Sequence, residues 1–141
     1  MNPKPAMNPL KALEQLGQAV WLDYIRRSLI TGGQLQKLID EDGLKGMTSN
    51  PSIFEKAIVG STDYADSLDK LYHEGSLDAM TLYERLAIED IQMAADTFRP
   101  VYEKTQGRDG FVSMEVSPYL AQETESTIKE ARRLWKAVAR P

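Results

Sequence analysis

Gly46-Met47-Thr48-Ser49-Asn50-Pro51-Ser52-Ile53-Phe54 decides how the chain folds. A short strand-like run leads through Thr48 and Ser49 into Asn50, and Pro51 then marks a turn. Beyond it Ile53, Phe54, Ala57 and Ile58 recur at helical steps. The pattern predicts a strand whose carboxyl end carries Asn50 and opens into a helix.

The same arrangement lies on either side. Upstream, Ala19-Val20-Trp21-Leu22 runs into Asp23; downstream, Phe111-Val112-Ser113-Met114 runs into Glu115. After Glu115, Pro118 breaks the run, and Leu120, Thr124, Ile128, Ala131, Trp135 and Val138 form the stripe of an amphipathic helix. Trp21 and Trp135 fall at strand and stripe positions and are expected in the core. Before the first strand, Asn8 suits a helix N-cap, Pro9 the first helical position and Gly17 the stop, with Leu10, Leu13 and Leu16 near one face. Residues 1–7 read as a flexible arm. Between the second and third strands, Tyr64, Leu68 and Leu71 line a helix closed near Gly75. A further helix carries Ala87, Ile91, Ala94 and Phe98, with Pro100 bending or ending it. Gly32-Gly33 reads as a helix stop and restart, and Gly107-Arg108-Asp109-Gly110 as the turn before the third strand.

Strands separated by helices imply parallel pairing with right-handed crossovers. The expected fold is therefore α/β, with residues 8–141 as one domain.

Composition narrows the functions. A net charge of −4 over 141 residues argues against an electrostatic grip on nucleic acid or an anionic membrane. No apolar run approaches the roughly 20 residues that span a bilayer, and a cytoplasmic location is expected. Cysteine is absent and His73 is the single histidine, which removes thiolate and imidazole metal sites. His73 sits at a helix end, where an interaction with the helix dipole is the simplest reading. Arg132 and Arg133 read as part of a solvated helix face.

In parallel α/β folds, side chains at the carboxyl ends of strands converge on a common crevice. Asp23, Asn50 and Glu115 occupy such ends. Two carboxylates and an amide around one pocket suit proton transfer and the orientation of a polyhydroxylated substrate.

These residues also match a family pattern. Val20-Trp21-Leu22-Asp23-Tyr24-Ile25-Arg26-Arg27 resembles the first-strand signature of transaldolases. Gly46 to Phe54 resembles the second, and Val112-Ser113-Met114-Glu115-Val116 the third. Leu35-Gln36-Lys37-Leu38-Ile39-Asp40 and Ala87-Ile88-Glu89-Asp90-Ile91 are similar to the intervening helices. The resemblance implies a (β/α)8 TIM-type barrel of which this chain supplies the first three βα units. It also implies transfer of a dihydroxyacetone unit between sugar phosphates in the pentose phosphate pathway. Donors would be fructose 6-phosphate or sedoheptulose 7-phosphate, and acceptors erythrose 4-phosphate or glyceraldehyde 3-phosphate. A lysine imine serves as electron sink, with no metal or organic cofactor. Carried over residue by residue, Asp23 would be the general acid/base and Glu115 would hold the water that relays protons. Thr48 would support that water, and Asn50 would bind the dihydroxyacetone hydroxyls.

The family's imine-forming lysine lies on a fourth strand, past the point where this sequence stops. The chain is therefore expected to be inactive alone and to be a fragment of a longer gene product. The alternatives are one half of a split enzyme working with a complementing C-terminal chain, or a homo-oligomeric, non-catalytic interaction or assembly module. A barrel of this kind takes about 250 residues, and three strands alone would leave one sheet face uncovered.

Overall fold

The computed structural model describes residues 8–75 and 77–141; the arm expected at residues 1–7 lies outside the described residues. Helix α1 (Pro9–Gln15) starts where the sequence predicts, with Asn8 Oδ1 accepting the Leu10 N–H at 2.9 Å and Pro9 in its first turn. None of its residues is buried, and Leu16 is 83% exposed. Polar contacts hold it instead: Asn8 Nδ2 donates to Asp42 Oδ1 at 2.6 Å, and Lys11 Nζ donates to the Asp40 carbonyl at 2.7 Å.

Strand β1 (Trp21–Asp23) is followed by α2 (Arg27–Thr31) and α3 (Gln34–Lys37), and α3 runs on into a π-helical turn, Leu38–Asp42. Gly32 ends α2, and Gly33, with φ of 77°, opens α3, as the glycine pair predicts. Strand β2 (Gly46–Thr48) leads into α4 (Pro51–Val59), then come α5 (Ala65–Glu74) and α6 (Ala79–Lys104). Helix α6 continues through Pro100 rather than ending there. A turn with Gly107 and Gly110 at positive φ delivers β3 (Phe111–Val112), a 3-10 turn at Pro118–Leu120 and α7 (Thr124–Val138).

The strands form one parallel sheet in the order β1-β2-β3. Trp21 pairs with Gly46, Leu22 with Met47 and Asp23 with Thr48, while Gly46 and Met47 pair with Phe111 and Val112. Side chains alternate across a strand, so Leu22, Met47 and Val112 share one face. They join the main core with Ile25, Leu35, Phe54, Ala87, Ile91, Ala94 and Phe98. Trp21, Asp23, Thr48 and Phe111 share the other face. The two rings there are only partly covered: Trp21 is 39% exposed and Phe111 36%, with the Phe111 ring edge-on to Tyr102 of α6 at 5.5 Å.

Two core expectations fail. Trp21 lies on the open sheet face, and Trp135 is 63% exposed because α7 docks through Leu134, one position away. Leu134 and Trp135 are neighbours on the helix, and the angle at which α7 meets α6 decides between them.

Candidate functional site

The strand register brings Asp23 and Thr48 to adjacent positions at the carboxyl ends of β1 and β2. Thr48 Oγ1 donates a hydrogen bond to Asp23 Oδ1 at 2.7 Å. The Asp23 carboxylate remains exposed at the mouth of the sheet, so its second oxygen is available to a ligand.

Asn50 stands two residues past Thr48 and closes the N-terminus of α4. Its Oδ1 accepts the Ile53 N–H at 3.0 Å, which offsets one of the helix's unpaired donors. Pro51 in the first turn fixes that geometry. With its oxygen engaged, the amide keeps its Nδ2 donors, and Nδ2 makes no hydrogen bond among the described residues. Between Thr48 and Asn50, the buried Ser49 ties β2 to the chain just beyond β3. Its N–H donates to Ser113 Oγ at 3.1 Å, and its hydroxyl donates to the Ser113 carbonyl at 2.7 Å. These bonds extend the sheet past the two ladder residues of β3 and hold the segment that carries Glu115.

Glu115 is exposed and lines a cavity of about 310 Å³ with Pro51, Met80, Tyr83 and Tyr119. It makes no hydrogen bond to Asp23, Thr48 or Asn50 among these described residues. Thus the structure joins Asp23 to Thr48 directly, sets Asn50 on the same strand end, and places Glu115 beside the first residue of α4. Tyr83 is a neighbour that the sequence reading missed. Burial, and then the charges of Glu115 and Glu84, push its hydroxyl pKa up. The signal was present: Tyr83 extends the Ala87, Ile91, Ala94, Phe98 stripe by one turn toward the N-terminus.

Three further side chains have partners elsewhere in the fold. Lys45 sits at the amino end of β2, where its Nζ pairs with Glu14 Oε1 at 2.7 Å. His73 lies in the last turn of α5, 3.6 Å from Asp69. Arg133 pairs with Glu84 and Glu130 on the surface. Among the described residues no group of three or more His, Asp or Glu stands close enough to hold a metal ion. No helix among them is long and apolar enough to cross a membrane.

Comparison with known proteins identifies the family. The family model described as transaldolase/fructose-6-phosphate aldolase matches residues 20–141. A transaldolase of Thiobacillus denitrificans is 49% identical over 135 residues, covering 96% of this chain and 37% of the relative. Transaldolases of Trichodesmium erythraeum and Thermobifida fusca are 44% and 45% identical, over 94% and 95% of this chain and 35% and 36% of their own. The chain therefore spans little more than a third of the length of these relatives, and the match is to their N-terminal portion. The family's fold is a TIM-type barrel, and a three-stranded parallel sheet with intervening helices agrees with part of one. A match running from β1 through α7, together with relatives above 40% identity across nearly the whole chain, establishes that the chain belongs to the transaldolase/fructose-6-phosphate aldolase family.

Proposed function

We propose that this chain supplies the acid–base side of a transaldolase-type site, as the first three βα units of a barrel that a longer polypeptide or a complementing chain completes. The observation that carries the reading is the Thr48–Asp23 hydrogen bond of 2.7 Å across adjacent strand ends. It presents a carboxylate, oriented by a neighbour and open to solvent, where a parallel α/β sheet gathers its chemistry.

In this reading a lysine from outside the chain attacks the donor ketone and forms an imine. Asp23 accepts the proton of the hydroxyl beside the carbon–carbon bond. That bond breaks, and its electron pair enters the protonated imine. The acceptor aldehyde then takes up the enamine carbon, with Asp23 returning the proton. Glu115, supported by Thr48, holds the water that carries protons during imine formation and hydrolysis, and Asn50 Nδ2 binds a dihydroxyacetone hydroxyl. Fructose 6-phosphate or sedoheptulose 7-phosphate is the donor, and erythrose 4-phosphate or glyceraldehyde 3-phosphate the acceptor.

The test is transfer from fructose 6-phosphate to erythrose 4-phosphate by the complete gene product. Asp23→Ala is expected to lower kcat by about 100-fold or more; an unchanged kcat would remove Asp23 from the mechanism. Borohydride trapping with fructose 6-phosphate locates the nucleophile. The adduct is expected outside residues 1–141, and an adduct on one of this chain's lysines would refute the division of labour.

The exposed Trp21 and Phe111 rings favour a second reading, a non-catalytic assembly module. That reading requires a discrete oligomer and no turnover, which light scattering alongside the transfer assay separates from the first.

A further inference from the structure

Asp90 is a fully buried carboxylate, on the core face of α6, that the proposed chemistry does not use. Its Oδ1 accepts from Arg27 Nε at 2.7 Å, and its Oδ2 accepts from the Tyr64 hydroxyl at 2.7 Å. The rest of the Arg27 guanidinium is equally engaged: one terminal nitrogen donates to Ser67 Oγ at 2.6 Å and the other to Glu89 Oε2 at 2.8 Å. The Tyr64 ring lies 4.6 Å from the guanidinium carbon, and the Tyr64 oxygen accepts the Arg27 backbone N–H at 3.4 Å. The next positions on either side are also fixed. Arg26 Nε and the Ser28 N–H both donate to Asp63 Oδ2, at 2.8 and 3.3 Å, and Ile25 is completely buried.

Every residue from Ile25 to Ser28 is thus anchored, to α5, to α6 or to the loop before α5. This segment begins two residues after Asp23. Apolar packing alone resists separation of elements but tolerates sliding and rotation. A planar guanidinium fork with a partner on each nitrogen fixes both. Placing a buried charge pair here is costly in desolvation, so an apolar contact would have sufficed if holding α2 against the core were the whole requirement.

We propose that Arg27, locked by Asp90, Tyr64, Ser67 and Glu89, is a positioning residue that sets the β1–α2 loop and so holds the Asp23 carboxylate in register with Thr48. Its importance for turnover rests on the function proposed above. The placement of Asp23 does not.

The test uses NMR on the full chain, following the 13C carboxyl signal of Asp23 and the amide signal of Thr48. Three variants perturb the lock: Asp90→Asn, Arg27→Lys and Tyr64→Phe, the last two keeping both charges. Asp96→Asn is the control; it removes the Arg140 ion pair from the same helix. The three lock variants are expected to move both signals and the control to leave them in place. In the complete enzyme the lock variants should lower kcat about tenfold, since small displacements of a reacting group are costly, while KM stays within about twofold. Unmoved Asp23 and Thr48 signals in folded Asp90→Asn and Tyr64→Phe overturn the proposal, as does an unchanged kcat in an active enzyme. If Asp90→Asn does not fold, Tyr64→Phe decides. A wild-type enzyme without transfer activity would refute the functional reading, and the two NMR signals would still judge the positioning role.

Discussion

Trp21 stands over Gly46 on the neighbouring strand, and a Cβ built at Gly46 would come within 2.4 Å of its ring. Gly46→Ala is therefore expected to destabilise the chain by about 1–3 kcal/mol through overpacking, read as a lower urea midpoint with an unchanged slope. Gly110 is constrained by the backbone as well: its φ is 90°, and a Cβ there would meet the Tyr102 nitrogen at 2.5 Å. Asp63 gives a prediction with a pH sign. Hydrogen bonds from Ser28 and Arg26 hold its carboxyl down at about 2, against an ordinary 3.8. Because the folded value is the lower one, the stability that Asp63 contributes is present above about pH 4 and lost as the pH falls toward 2. A 13C carboxyl titration should find its midpoint near 2, and Arg26→Ala should raise it. Asp90 behaves oppositely, since burial pushes its carboxyl up despite the Arg27 and Tyr64 partners. The strand-end residues Asp23 and Asn50 were legible in the sequence because each ends a strand-like run before a helix, whereas Thr48 entered only through the family resemblance. The Arg27–Asp90 lock was not, since its partners lie 63 positions apart.

At the scale of elements, α7 shows what periodicity leaves open. Its sequence stripe runs through Ile128, Ala131, Trp135 and Val138, yet Leu134 is the buried residue, while Ile128 and Trp135 face outward. Leu134→Ala is expected to cost about 2–5 kcal/mol, and Trp135→Ala to stay within about 0.5 kcal/mol, compared by urea denaturation. The opposite ranking would restore the stripe read from sequence. Helix α6 runs past Pro100 for the same kind of reason. Ala94, Phe98 and Val101 are buried on both sides of the proline, and core packing outweighs the one helical hydrogen bond that proline removes.

For the molecule as a whole, the distribution of burial predicts a hierarchy of local stability. Strand β2 is paired on both sides and carries the completely buried Met47, whereas α1 buries no residue. Amide hydrogen exchange should be slowest in β2 and the middle of α6 and fastest in α1; comparable protection of α1 would contradict this ordering. The sequence by itself determined the alternation of strands and helices, the cap at Asn8, the glycine restart at Gly33 and the identity of the strand-end polar residues. All of these follow from local rules of hydrogen bonding and backbone sterics. Only the tertiary structure decided that Asp23 is bonded to Thr48, that Glu115 lies beside Tyr83, that Trp21 and Trp135 stay exposed, and that Asp90 is buried under Arg27. Each of those depends on strand register or on helix packing angle, which bring together residues that no local spacing relates.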